Sequence, residues 1–145
     1  MLMNSTKSPL KKSILNQAIA VAMASNAPKK VGAILLRKNR IIATAVNDYS
    51  RTHPVQAYAA QNAARIFNSP DLAMKQFGHS EILSLIKAKE DADTIVVCRV
   101  GGHGGRELRM RKPCRICTYY ILNYTKISHV YYSTNNGFVY EYWGG

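Results

Sequence analysis

The chain has 145 residues, 47% of them hydrophobic, and 20 Lys and Arg against 8 Asp and Glu give a net charge of +12. That length suits one domain with a real core, the apolar share excludes a disordered tail, and the charge favours anionic partners such as nucleotide phosphates or polynucleotides. No apolar run nears the roughly 18 residues of a membrane span, no signal-like stretch opens the chain, and an odd count of three cysteines argues against a disulfide framework, so a cytoplasmic protein with no membrane contact is expected.

Residues 1–8 read as a flexible polar tail and residues 9–145 as a single domain. Ser8 and Pro9 form a helix start, because Ser caps and Pro suits the first helical position. Ile14, Leu15, Ala18, Ile19, Ala22 and Met23 make one apolar stripe at helical spacing, which Asn26 and Pro28 stop. Residues 31–36 and 41–46 are β-branched runs joined by Arg37-Lys38-Asn39-Arg40, a hairpin. Residues 47–53 read as a polar loop. Pro54 opens a second helix that runs to Phe67, and Asn68-Ser69-Pro70 breaks it. A third helix covers 79–89, with Ile82, Leu83 and Ile86 on one face.

Residues 94–100 are almost continuously apolar, the pattern of a strand buried on both faces. A glycine loop, 101–105, and a basic stretch, 106–112, lead through Pro113 into a helix over 114–124. The last strands, 127–133 and 138–143, flank Asn135-Asn136-Gly137, a strong hairpin signal. This order of elements is α/β and implies a mixed sheet with helices on both faces. Cys98, in the middle of a strand, reads as a buried small hydrophobe, and His129 as structural.

Two motifs carry chemistry: His79-Ser80-Glu81 and Pro113-Cys114-Arg115-Ile116-Cys117. Cys114 and Cys117, three apart at a helix start, share a face where free N–H groups and the helix dipole favour thiolates. On an ideal helix His79 and Glu81 would point about 200° apart. They converge only at a helix end, so both motifs are expected at N-termini facing each other across the edge of the sheet. Three protein ligands leave the fourth tetrahedral position open, as catalytic zinc requires. Two thiolates offset the dication's charge and acidify its water less, so a neighbouring base is needed, and Glu81 is in place for it. Each motif alone is weak. Together, in this order and with the proline, they are specific.

At these residues the sequence resembles the cytidine and deoxycytidylate deaminase superfamily, whose signature is H-x-E followed by P-C-x-x-C. It is similar in particular to short phage and bacterial members, through Thr52-His53-Pro54 and Lys112-Pro113-Cys114. The resemblance covers about residues 30–135. It implies a three-layer α/β/α sandwich around a five-stranded mixed sheet that ends in an antiparallel hairpin. It also implies one Zn2+ per chain on His79, Cys114 and Cys117, with Glu81 as the catalytic proton carrier. The implied reaction is hydrolytic deamination of cytosine in a nucleotide or nucleoside, such as dCMP or cytidine, to the uracil form. Implied substrate contacts are Asn47 to a sugar hydroxyl, the Ser80 backbone to the base carbonyl, and Pro113, with Arg51 and His53 at the pocket mouth. Ser80 stands where relatives usually carry Ala, and Arg115 where Pro is common. Relatives often complete the pocket from a neighbour, so a homo-oligomer is expected.

The alternative is a cytosine deaminase acting on single-stranded DNA or RNA. The charge favours it, as do Tyr119, Tyr120, Tyr124, Tyr131, Tyr132, Tyr140, Tyr142 and Trp143 if they stack bases rather than fill the sheet core and an oligomer face. A zinc-stabilised nucleic-acid-binding module is a third reading, which Glu81 in register with His79 opposes. Arg51, His53, Arg106, Arg109, Arg111 and Lys112 read as a basic rim for a phosphate. His103 lines the pocket or lies on the surface.

Overall fold

In the computed structural model, which describes residues 10–52, 54–74 and 77–144, the apolar stripe of the first helix lies against the centre of a sheet. The side chains of Tyr49, Ser50, Arg51, Thr52, Met74, Phe77 and His103 are outside that description. So are the expected tail, Ser8 and Pro9 themselves, and His53; α1 nevertheless starts later than a Ser8-Pro9 cap requires, from an N-cap at Lys11. The elements run α1 (Lys12–Met23), β1 (Lys30–Arg37), β2 (Arg40–Val46), β3 (Asp48–Thr52), α2 (Pro54–Ile66), β4 (Phe77–Gly78) and α3 (Ser80–Lys87). Then follow β5 (Thr94–Gly101), β6 (Glu107–Arg109), α4 (Arg115–Tyr124), β7 (His129–Thr134) and β8 (Gly137–Tyr142).

The main sheet has the order β2-β1-β5-β7-β8. β1 is antiparallel to β2 and β5, β5 is parallel to β7, and β7 and β8 form the expected antiparallel hairpin. The β1–β2 turn places Lys38 and Asn39 at φ 51° and 65°, the pair of left-handed residues whose twist suits a two-residue hairpin. Strand residues alternate between two cores. Ile34, Leu36, Val96, Cys98 and Tyr131 pack with Ile14, Ala18 and Ala22 of α1. Val31, Ala33, Leu35, Ile95, Val97 and Tyr132 pack on the other side with Ile121 of α4 and Leu85 of α3. The result is the expected three-layer sandwich, with α1 on one face and α3 and α4 on the other.

Two loops of the sequence reading hold strands. The basic stretch contains β6, a short sixth strand off the main path. It forms because β7 pairs with β5 only from Thr94 to Val97, and β6 takes up the remainder, Arg99 to Gly101. The polar loop contains β3, paired with β4. Both pairings satisfy backbone groups, a demand that side-chain polarity does not advertise. Gly32 lets α1 approach β1 closely: a Cβ there would lie 2.6 Å from the backbone nitrogen of Ala22. Cys98 is fully buried, as expected, and burial pushes its thiol up to about 12.

Candidate metal centre

The two motifs open two helices. His79 is the N-cap of α3, with extended backbone at φ −89° and ψ 144°. Cys114 is the N-cap of α4, extended at φ −67° and ψ 172°. Helical pairing starts from their carbonyls, which accept Leu83 N–H at 2.9 Å and Thr118 N–H at 2.8 Å. An extended N-cap points its side chain away from the direction that the helix would impose. That resolves the divergence of His79 and Glu81, and the third helix starts one residue later than its expected boundary.

His79 Nδ1 lies 3.4 Å from Cys114 Sγ and 3.4 Å from Cys117 Sγ. All three donor atoms lie within 4.8 Å of one another. Zinc at ordinary Zn–S and Zn–N lengths in a tetrahedron would hold sulfur and nitrogen about 3.6 Å apart. The donor chemistry and the spacing both fit. A bond from Cys117 and, against burial, the nearby His79 hold the Cys114 thiol down at about 3. Burial, then Cys114 and the charge of Glu81, push the Cys117 thiol well up, against the pull of Arg111.

The carboxylate beside this cluster is asymmetric. Glu81 is fully buried. Its Oε1 accepts from Ser80 Oγ at 3.1 Å and pairs with Arg111 Nη2 at 3.7 Å. Its Oε2 is buried and has no hydrogen-bond partner among the described residues.

Two contributors were missed by the sequence reading. Gln56, fully buried in the first turn of α2, accepts the backbone N–H of His79 at 3.1 Å. Its signal was present: Gln56 shares a helical stripe with the buried Ala59, Ala60 and Ala63, so a polar side chain sits at a core position. Arg111 had been assigned to a phosphate rim, whereas its guanidinium reaches Glu81. Nothing in the local pattern marked it among its basic neighbours.

The other expected site residues divide. Pro113 is buried directly before Cys114, and its carbonyl accepts Thr118 Oγ1 at 3.1 Å. Asn47, 4% exposed, directly follows the last residue of β2 and braces the α1–β1 loop. Its Oδ1 accepts Ser25 Oγ at 2.6 Å and Val31 N–H at 3.2 Å, and its Nδ2 donates to Lys29 O at 2.6 Å. The side chain of Arg51 and all of His53 fall outside the described residues. The basic rim is partly occupied: Arg109 pairs with Glu107 at 3.4 Å and Lys112 with Glu141 at 3.3 Å, while Arg106 is exposed. Tyr131, Tyr132 and Tyr140 lie in the core, whereas Tyr124 and Tyr142 are exposed. His129 Nδ1 meets Tyr140 Oη at 2.7 Å, a structural contact.

The family model for the cytidine and deoxycytidylate deaminase zinc-binding region matches residues 9–134. The dCMP deaminase of the cyanophage S-TIM5, solved in apo form, is similar in fold over 83% of this chain and 79% of its own, at TM-score 0.53 and 20% identity. No curated protein matches the chain. No helix among the described residues is long and apolar enough to cross a membrane.

Proposed function

Because the chain belongs to the cytidine and deoxycytidylate deaminase zinc-binding family, we propose that it hydrolyses the amino group of cytosine in a free nucleotide or nucleoside, with dCMP and cytidine as the leading substrates. The observation that carries this is the donor triangle of His79, Cys114 and Cys117 with a buried carboxylate two residues along from the histidine. A purely structural zinc site has no use for such a carboxylate, and three ligands leave one position open.

The reaction adds water across the ring carbon that bears the amine. The C–O bond forms, the C–N bond breaks, and cytosine plus water gives uracil plus ammonia. Zinc, when bound, supplies an acidified water. Glu81 is the group that would take the two protons of the added water in turn, passing one to ring N3 and the other to the departing amino group. The Ser80 backbone, in the first turn of α3, is assigned to the base carbonyl. Asn47 retains one Nδ2 hydrogen for a sugar hydroxyl. Pro113 closes the wall beside Cys114.

A small substrate is favoured over a polynucleotide. Three of the tyrosines that a strand would stack upon are in the core. Three of the four cations ahead of Cys114 pair with acids of the chain itself. The test is ammonia release from cytidine, deoxycytidine, their mono- and triphosphates and cytosine-containing oligonucleotides, over a salt series. Turnover of a monomeric cytosine compound is expected. Turnover of the oligonucleotide alone, falling steeply with salt, would transfer the reading to single-stranded DNA or RNA.

A further inference from the structure

The structure places two anchors on one oxygen of the fully buried Glu81 carboxylate and none on the other. Ser80 Oγ donates to Oε1 at 3.1 Å, and Arg111 Nη2 approaches the same atom at 3.7 Å. Oε2 is equally buried and has no hydrogen-bond partner among the described residues. We propose that Ser80 and Arg111 are positioning residues that hold Oε1 of Glu81 and so dedicate Oε2 to proton transfer. The proposal rests on the deaminase reading of this site and adds the orientation of its base.

The anchors are themselves fixed. Ser80 is the first residue of α3 and is fully buried. Arg111 lies three residues before Cys114 on a segment stitched to β7. Its N–H donates to Ser133 O at 2.9 Å, and Ser133 Oγ donates to Arg109 O at 2.6 Å and accepts Arg99 N–H at 2.9 Å. The Arg111 side chain is 20% exposed, so its guanidinium is delivered from a pinned backbone into a largely dry site. A carboxylate out of water keeps its charge only when a cation or donors meet it. Here both arrive on one side. A carboxylate rotating freely about its last bond would offer either oxygen. One gripped at Oε1 presents Oε2 in a fixed direction, and orientation of that kind lowers a barrier without new binding energy.

The experiment uses zinc-loaded protein and four variants: Ser80→Ala, Arg111→Gln, Arg111→Lys, and Arg111→Gln combined with Glu81→Gln. Ser80→Ala is expected to lower kcat about tenfold and Arg111→Gln by about tenfold or more, with KM changed less than about twofold, the pattern of an interaction used in the transition state. Arg111→Lys should recover part of that loss. Zinc stoichiometry should stay unchanged in every variant. Independently of turnover, Arg111→Gln should lower the thermal midpoint, and adding Glu81→Gln should restore it by removing the uncompensated charge. Unchanged kcat in both single variants, a rise in KM alone, loss of zinc, or no recovery of the midpoint in the double variant would overturn the assignment. If the unaltered protein deaminated no cytosine compound, the functional reading would fail, and the midpoint comparison would still decide the pairing of Arg111 with Glu81.

Discussion

The side-chain oxygen of Gln56 accepts the backbone N–H of His79 at 3.1 Å, so the residue that opens α3 is held from the first turn of α2. His79 supplies a donor atom to the metal triangle, and Gln56 therefore fixes where that donor sits. Outer partners of metal ligands typically contribute about 10–100-fold in metal affinity. Gln56→Ala is expected to weaken zinc binding by at least about tenfold, read by competition with a chromogenic chelator. It also strands a partly buried N–H, at a cost of about 1 kcal/mol or more in urea unfolding. A variant that lost stability but kept its zinc affinity would refute the coupling.

Removal of Glu81 should separate metal binding from turnover. Glu81→Ala deletes a buried side chain that is not one of the three donor atoms. Zinc content by elemental analysis is expected to remain at one per chain, while turnover falls about 10²–10⁴-fold or more. Cys117→Ala should instead lose the metal itself. Near-normal turnover in zinc-loaded Glu81→Ala would remove Glu81 from the chemistry.

Much of this site was legible because its chemistry is compressed into two short segments. His79, Glu81, Cys114 and Cys117 each have a residue type and a spacing that zinc chemistry demands, and side chains two apart on a helix diverge by about 200°, which requires both segments at helix ends. The fold was legible for a similar reason: β1, β5 and β7 are long runs whose burial pattern is written in their composition. What was hidden depends on contacts distant in sequence. Arg111 reaches Glu81 across 30 positions, and nothing local tells it from Arg109, which turns to Glu107. The strands β3, β4 and β6 are short, and each exists through a pairing with a segment distant in sequence or with an unpaired stretch of β5: β3 with β4, and β6 with the end of β5.

The close packing of α1 on the sheet gives a prediction about stability alone. A Cβ at Gly32 would fall 2.6 Å from Ala22 N and 2.9 Å from Ala22 Cα, both backbone atoms. Trimming the side chain of Val21, which also lies close, would not make the room. Gly32→Ala should therefore force α1 outward and cost about 1–3 kcal/mol by urea denaturation, as overpacking of a core does. The metal triangle lies with the helices on the opposite face, so zinc stoichiometry should be unaffected. An unchanged urea midpoint would show that α1 yields freely.

Acid should loosen the link between β8 and the metal loop through Glu141. Burial alone would raise this carboxyl, but Tyr132, Trp143 and Lys112 overcome that and hold it below the usual glutamate range. Tyr132 Oη donates to Oε2 at 2.6 Å, Trp143 Nε1 donates to Oε1 at 2.9 Å, and Lys112 Nζ lies 3.3 Å from Oε2. Lys112 directly precedes Pro113 and Cys114, so the same carboxylate tethers the approach to the metal helix. Since the folded pKa is depressed, the contribution is fully present above the unfolded value of about 4.3 and is lost as pH falls through the lower folded value. Urea midpoints measured from pH 7 down to about pH 3 should therefore fall more steeply in the unaltered protein than in Glu141→Gln. At neutral pH the substitution should be destabilising, because the amide presents one acceptor oxygen to three donors. Protonation of the metal ligands is common to both proteins and cancels in the comparison, so the difference between the two curves reports Glu141. Parallel curves over the whole range would mean that this cluster does not contribute to acid sensitivity.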